Sequence, residues 1–474
     1  MLLSHLLKNI HHSDITDNVN VTSIVSDSRQ VVDGCAFVCV KGEHFDSHTI
    51  AEDVIKRGAV AVIVQTDLGI PEQVMVDDTK KALALMCAEF YHNPHKKLKI
   101  IGVTGTNGKT STTYMIKQIL EFAGKKVGLI GTIAYSNGKE KISDSVLTTP
   151  ESQQLYRMFY SMQSSGCEYC VMEVSSQALA QERCYGIDFE CAVFTNLTTD
   201  HLDYHKTLEN YYASKGKLFA QSKISLINAD DKNGQFVFGF VKGKALFFST
   251  KNKNADFYAH EISLKKDGCG YSLGKEKVEV SIPGEFTVYN SLGAVACCNT
   301  LGISLSDCVS ALKKIKGVPG RAEVIQTGKP FTVIIDYAHT PDAIENILST
   351  VKMVSFGKIV VLFGCGGDRD KSKRPLMAKA AAENADYVII TTDNPRTEVP
   401  NEIIEDILPG IRNTQTPCAV IPDRTYAIEY ALKNAKENDT IVLCGKGHEK
   451  YQIIGNKKYP YDEKEIVRKY LEQA

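Results

Sequence analysis

Residues 102–112 read Gly102-Val103-Thr104-Gly105-Thr106-Asn107-Gly108-Lys109-Thr110-Ser111-Thr112. The apolar run Leu98-Lys99-Ile100-Ile101 leads into them, and helix-forming residues follow. A strand that turns through glycines into a helix start points backbone N–H groups and a positive dipole end at an anion. Lys109 adds a mobile cation suited to β- and γ-phosphates, and the Thr110 hydroxyl suits Mg²⁺. The pattern predicts a nucleoside triphosphate site. The strict G-x-x-x-x-G-K-[ST] spacing is not met, because Val103 stands where its first glycine belongs.

At 474 residues the chain exceeds what one core covers, and roughly two to four domains are expected. A net charge of −1 argues against a nucleic-acid partner, which needs a basic face. No apolar run approaches the ~18 residues of a membrane span. The opening Met1–Leu7 lacks the basic start and long apolar centre of a signal peptide, and reads as a short amphipathic helix. Many of the fourteen cysteines sit within apolar runs, where a thiol acts as a small hydrophobe. Cys167 and Cys170 form a lone C-x-x-C, so no metal site is expected there. A reducing cytoplasm fits this usage.

Strand-like and helix-like runs alternate along the chain. The polar, proline-broken His92–Lys97 and the segment Gly317-Val-Pro-Gly-Arg321 mark two boundaries. Three α/β units follow: 1–97, 98–318 and 319–474, the middle one richer in strands over 222–285. Uniformly apolar strands between helices predict parallel sheets covered on both faces.

A phosphate loop alone suits kinases, GTPases, motors and ligases alike. Glu173, at the carboxyl end of a strand-like run, is placed to hold the metal that bridges phosphates. Thr195-Asn-Leu-Thr-Thr-Asp-His-Leu-Asp-Tyr-His205 carries two aspartates and two histidines suited to a second metal. Gly364-Cys-Gly-Gly-Asp-Arg-Asp370 places Arg369 where a dinucleotide fingerprint needs glycine, which weakens an oxidoreductase reading. Its basic residues, Asp393-Asn-Pro-Arg396 and Gly445-Lys-Gly-His-Glu449 all follow strands, and such loops converge on one cleft.

Taken together these segments resemble the Mur ligase family, ATP-dependent amide-forming enzymes of peptidoglycan synthesis. The marks are T-G-T-N-G-K-T (104–110), T-T-P-E (148–151), E-V-S-S (173–176), the 195–205 segment, G-R-x-E (320–323), D-Y-A-H-T-P-D (336–342) and G-K-G-H-E (445–449). Within the family, Asp393-Asn-Pro-Arg396 looks like the signature of members that add meso-2,6-diaminopimelate to UDP-N-acetylmuramoyl-L-alanyl-D-glutamate. A guanidinium reads the extra carboxylate that distinguishes this amino acid from lysine. A lysine-adding or folylpolyglutamate-like ligase is the nearest alternative, and a nucleotide-dependent switch the alternative from another class.

The resemblance implies three domains: a small N-terminal α/β unit for the UDP-substrate, a central P-loop-type ATP-binding unit and a C-terminal Rossmann-like unit for the amino acid. It also implies residue roles. Gly105, Thr106, Asn107, Gly108, Lys109, Thr110, Ser111, Asn290, Arg321 and Asp336 would bind ATP. Thr110 and Glu173 would hold one Mg²⁺, and His201 and Lys215, as a carbamate, a second. Ser28, Thr148, Thr149, Ser175, Gln181 and Arg183 would hold the muramoyl dipeptide, and Arg369, Asp393, Asn394, Arg396, Gly445 and Glu449 the diaminopimelate. Lys109, Glu173, Arg183, His201 and Lys215 would carry the chemistry. Gln177 stands where many relatives have histidine. A cytoplasmic monomer without membrane insertion is expected, with hinges near 97 and 318.

Overall fold

The computed structural model describes residues 1–42, 45–144, 147–265 and 268–473, except for the side chains of 142–144 and Asp203. The apolar runs form three separate sheets. The first has four parallel strands in sequence order: Ser23–Val25, Cys35–Val38, Ala59–Val64 and Gln73–Met75.

The second sheet has eleven strands. Its parallel centre runs Lys244–Ser249, Ser222–Asn228, Phe189–Phe194, Lys99–Thr104, Tyr169–Glu173 and Val127–Ile130. Antiparallel strands finish both edges, including Gly268–Leu273 and Glu276–Val280 from the strand-rich middle segment. The central strands are apolar on both sides because helices cover both faces. Helices Lys109–Phe122 and Glu285–Thr300 bury Met115, Ile116, Ile119 and Val295 on one face. Lys99–Thr104 has Phe189–Phe194 on one side and Tyr169–Glu173 on the other, the arrangement that opens a crevice beyond the carboxyl ends.

The third sheet has six strands. Thr332–Asp336, Thr440–Cys444, Ile359–Phe363, Tyr387–Ile390 and Cys418–Val420 are parallel, and Glu323–Ile325 is an antiparallel edge. A hairpin of Tyr451–Ile454 and Lys457–Pro460 stands apart from it.

The two junctions differ. An apolar cluster runs without a break from Leu3 and Leu6 through Met86 to Tyr156 and Phe159, fusing the first sheet to the second. His92–Lys97 is not a loose tether: Pro94–Lys97 forms a 3-10 turn that buries Pro94 and His95, with His95 edge-on to Tyr156 at 5.3 Å. The third sheet keeps its own cores, and many of its contacts with the second are polar side chains. All fourteen cysteines are free thiols, thirteen of them buried, as expected of small hydrophobes. No helix among the described residues is long and apolar enough to cross a membrane.

Burial holds His95 neutral down to about 4, below its ordinary 6.5. The unfolded chain takes up this proton from about pH 6.5, whereas the folded chain resists until about 4, so stability falls as pH drops through that window. We expect His95→Phe to lose about 2 kcal/mol less than the parent between pH 7 and pH 4.5, read from urea unfolding. Identical slopes would show that His95 is not linked to folding.

Candidate functional site

The site begins where Lys99–Thr104 turns into helix Lys109–Phe122. Gly108, at φ +86°, caps the helix, and a Cβ there would lie 2.3 Å from Asn290 Oδ1. Asn290, on helix Glu285–Thr300, is thereby set against the turn. A Cβ on Gly105 would meet Thr195 Oγ1 at 1.9 Å. The Thr195-Asn196 pair clasps the loop: Thr195 Oγ1 donates to Asn107 O (2.6 Å), Thr106 N to Asn196 O (2.9 Å) and Asn107 N to Asn196 Oδ1 (2.9 Å). Ser111 follows in the first helical turn.

Two cations converge on this turn. Lys109 Nζ donates to Gly105 O and Thr106 O, both at 2.8 Å, and Lys215 Nζ donates to the same Gly105 O at 2.9 Å. Lys215 is 2% exposed on helix Leu208–Ala220, 4.7 Å from the Tyr211 ring centre. Burial, with the Lys109 charge next in effect, drives the Lys215 ammonium well below its ordinary range. Burial lowers Lys109 too, against the pull of Glu173 and Asp200.

Glu173, fully buried, closes its strand within reach of the helix start. Its Oε1 accepts from Thr132 N (2.8 Å), and its Oε2 from Thr132 Oγ1 (2.9 Å) and Thr110 Oγ1 (3.0 Å). Arg321 Nη2 donates to the same Thr110 hydroxyl at 3.0 Å, bringing the second boundary onto the phosphate loop. Its guanidinium lies 4.6 Å from the Tyr337 ring centre, and its buried Nε has no partner among the described residues. Asp336 accepts from Ala322 N and Ala338 N, fixing the turn that presents Arg321. Asn107 Nδ2 donates to Asp342 Oδ2 at 2.8 Å, a second tie between sheets.

Beside Glu173, Thr148 Oγ1 lies 3.1 Å from Thr132 Oγ1, and Thr149 Oγ1 donates to Glu173 O at 2.9 Å. Ser175 caps helix Ser176–Ala180 and donates its N–H to Thr149 Oγ1, and Gln177 stands in that helix. Arg183 donates to Thr149 O (2.8 Å) and Gln181 Oε1 (3.0 Å), and pairs with Glu151 at 2.7 Å. Ser28 opens the 3-10 turn Ser28–Gln30 of the first unit. Gln153 Nε2 donates to nearby Ser26 Oγ, bringing that unit to the same side.

His201 has left-handed backbone (φ 54°), and its Nε2 lies 3.3 Å from Asp200 Oδ2. Burial holds His201 down to about 4. Burial would raise Asp200, but His201, Lys373 and His339 outweigh it and hold it at about 2. Lys373 belongs to the third sheet's layer and lies 3.8 Å from Asp200. The Asp203 side chain, part of the expected metal cluster, lies outside the described ones.

The segment opened by Gly364–Asp370 continues to Lys373, and also meets the 393–396 loop. Arg396 Nη1 donates to Gly367 O at 2.7 Å; burial, then Arg369, lowers its guanidinium. Arg369 itself is exposed and donates to Asp368 O. Asn394 Nδ2 donates to Glu449 Oε2 at 2.9 Å, and a Cβ on Gly445 would lie 2.6 Å from Asp393 Oδ2. Arg396 is thus tied to Gly367, and Lys373 further along that segment lies beside Asp200 of the 195–205 segment, whose Thr195 and Asn196 clasp the 105–107 loop.

Comparison with known proteins decides the family. The Mur ligase middle domain matches residues 103–298, and the Mur ligase, glutamate ligase domain matches 320–447. A UDP-N-acetylmuramoyl-L-alanyl-D-glutamate–2,6-diaminopimelate ligase of Clostridium perfringens is 47% identical, over 100% of both chains. This chain belongs to the Mur ligase family. A relative of the same name from Caldanaerobacter subterraneus is 45% identical over 100% of both chains. A solved structure with that name is 33% identical with a TM-score of 0.68, covering 96% of this chain and 95% of that one. The MurF ligase of Thermotoga maritima in complex with ADP shares the fold at 18% identity and a TM-score of 0.63, covering 97% and 98%. The three-domain α/β architecture is thus that of the Mur ligases.

Several residues of this Mur ligase escaped the sequence reading. Thr132, which grips Glu173 by both N–H and hydroxyl, lies in no motif. His339 and Asp342 were visible within D-Y-A-H-T-P-D, and Lys373 within the basic run, but only the folded chain shows what they meet. Thr132→Val keeps the shape and the backbone donor while removing the hydroxyl. We expect about five- to tenfold weaker binding of a non-hydrolysable nucleoside triphosphate by calorimetry, with the melting temperature nearly unchanged. Equal affinity would mean that Glu173 needs no such support.

Proposed function

We propose that this Mur ligase uses ATP to join meso-2,6-diaminopimelate to the D-glutamyl γ-carboxylate of UDP-N-acetylmuramoyl-L-alanyl-D-glutamate. The observation that carries the amino-acid choice is the half-buried Arg396, held at Gly367 beside the ionisable pair Asp393 and Glu449. A guanidinium there supplies two charge-assisted hydrogen bonds to a carboxylate that lysine lacks. The names of the full-length relatives agree with this substrate. In this reading residues 1–97 take the UDP end, 98–318 the ATP and 319–474 the amino acid.

A carboxylate is a poor electrophile, so its oxygen first attacks the γ-phosphate of ATP, giving an acyl phosphate and ADP. The amine of diaminopimelate then attacks the acyl carbon, and phosphate leaves from the tetrahedral oxyanion. The loop 105–111 cradles the triphosphate with its N–H groups and Lys109, while Asn290, Arg321 and Asp336 border the rest of the nucleotide. Arg183, with Thr148, Thr149, Ser175, Gln181 and Ser28, binds the muramoyl dipeptide, and Arg183 offsets the charge of its carboxylate.

The donor set fits magnesium. Thr110 and Glu173 offer neighbouring hard oxygens, which suits an ion that takes few protein ligands and shares the phosphates. Among the described residues no three of His, Cys, Asp and Glu form a self-sufficient cage. The second position pairs His201 with Lys215, whose burial lowers its ammonium and so favours the neutral amine, the form that adds CO2 to become a carbamate. When bound, Mg²⁺ neutralises phosphate charge that otherwise repels the carboxylate.

The acyl phosphate must be kept from water, so the third unit closes on the second. The packed first junction leaves this motion to the second, near 318. Small-angle scattering should show a smaller radius of gyration with ATP analogue and nucleotide substrate together; no change would count against closure. In a side-by-side assay with meso-diaminopimelate, lysine and ornithine, the first should dominate. Arg396→Ala should cut kcat/KM for it by about 100-fold while sparing ATP affinity. Undiminished use of diaminopimelate would overturn the assignment of Arg396.

A further inference from the structure

Lys446 is wholly buried, and the chemistry above makes no use of it. It lies just past strand Thr440–Cys444, and its ammonium donates to Asn394 Oδ1 (2.9 Å), Tyr451 O (2.9 Å) and Glu449 Oε2 (3.2 Å). Asp393 Oδ1 is 3.7 Å away. An ammonium has three N–H donors, and each here has its acceptor. Lys446 therefore acts on a ligand through its neighbours.

Two of those neighbours are amino-acid-site residues. Asn394 Oδ1 accepts from Lys446 and from Ile453 N (2.9 Å), so the amide oxygen is fixed and Nδ2 must face Glu449. Glu449 Oε2 accepts from both Lys446 and Asn394, which pins the carboxylate by one oxygen. Its Oε1, with the Tyr337 hydroxyl at 3.4 Å, is left to accept from an incoming ammonium. The cation also offsets the negative charge of Asp393 and Glu449, which would otherwise repel each other.

The third bond reaches Arg396. Tyr451, held by Lys446, starts strand Tyr451–Ile454. Arg396 has left-handed backbone (φ 50°), an uncommon state for a side chain with a Cβ. It is held there because Arg396 N donates to Ile453 O (3.1 Å) and Gly455 N donates to Arg396 O (2.7 Å). Gln452 Nε2 donates to Asp393 O at 2.7 Å, a further tie between hairpin and loop.

We infer that Lys446 is a positioning residue for amino-acid selection: it orients the Asn394–Glu449 pair toward the substrate ammonium and anchors the hairpin that holds Arg396. This deepens the proposed diaminopimelate reading and rests on it. The test is steady-state kinetics of full-length Lys446→Met, varying each substrate in turn. KM for diaminopimelate should rise about tenfold or more, KM for ATP and for the muramoyl nucleotide should stay within about twofold, and the preference over lysine should narrow. Lys446→Met and Glu449→Gln should also be non-additive, since one acts through the other. Gln452→Ala, which removes one tie and no charge, should show the same selective pattern at about threefold; it decides the matter if Lys446→Met does not fold. Unchanged KM for the amino acid, or an equal rise for all three substrates, overturns the inference. A parent enzyme that prefers lysine would instead overturn the proposed substrate, which the parent's own assay reports.

Discussion

Two buried lysine side chains share one carbonyl oxygen at the heart of this molecule. Lys109 and Lys215 both donate to Gly105 O, which puts them within about 6 Å of each other beside the positive end of a helix. At that range two unit charges would repel by roughly 3 kcal/mol even at a moderate effective dielectric, and this repulsion, after burial, is what lowers the Lys215 ammonium. Arg321 adds a guanidinium on the Thr110 hydroxyl. The charges of Lys109 and Arg321 persist in the folded chain because the surrounding sheet over-determines their positions. A polyphosphate with its metal is the natural complement. The loop glycines, the Thr195-Asn196 clasp and the Thr132–Glu173 grip are the means by which the backbone keeps that charge in place.

The different character of the two junctions follows from what each has to do. Continuous apolar packing fixes the first unit to the second, so the Ser28–Gln30 turn and the 105–110 loop are held at constant separation. Beside Phe286 of the second unit, which packs on the third unit's core, polar links join the third unit to the second: Asn107 to Asp342, Arg321 to Thr110 and Lys373 to Asp200. Such contacts exchange with water at little net cost, whereas separating an apolar face exposes its area. Attachment through polar pairs is what a lobe needs if it is to part from its neighbour and return.

Much of this was legible in the chain. The Gly105–Thr110 turn announced its strand and helix because each step has a local physical signature. The apolar runs at 169–174, 333–335 and 440–443 became buried parallel strands for the same reason. The 364–370, 393–396 and 445–449 loops do touch one another, through Arg396 and Gly367 and through Asn394 and Glu449, at the carboxyl ends of their strands. Contacts without a local signature were hidden. Thr132 is an unremarked threonine until the sheet places it against Glu173. Lys446 sat in plain view inside a motif, yet nothing in the one-dimensional pattern tells a buried strut from a solvent-facing lysine. The polar, proline-broken His92–Lys97 read as a tether, but His95 found an apolar pocket beside Tyr156 that only tertiary packing creates.

Gly320 has a bearing on how the lobes move. It has φ +66°, and a Cβ there would fall 2.2 Å from the backbone nitrogen of His448. The turn at Gly320 is thus seated against the 445–449 segment with no room for even a methyl group. A rotation starting at this joint cannot leave that segment behind, and through Glu449 it takes Asn394 along. The 393–396 and 445–449 loops would thus ride on the axle of any such turn and keep their mutual geometry.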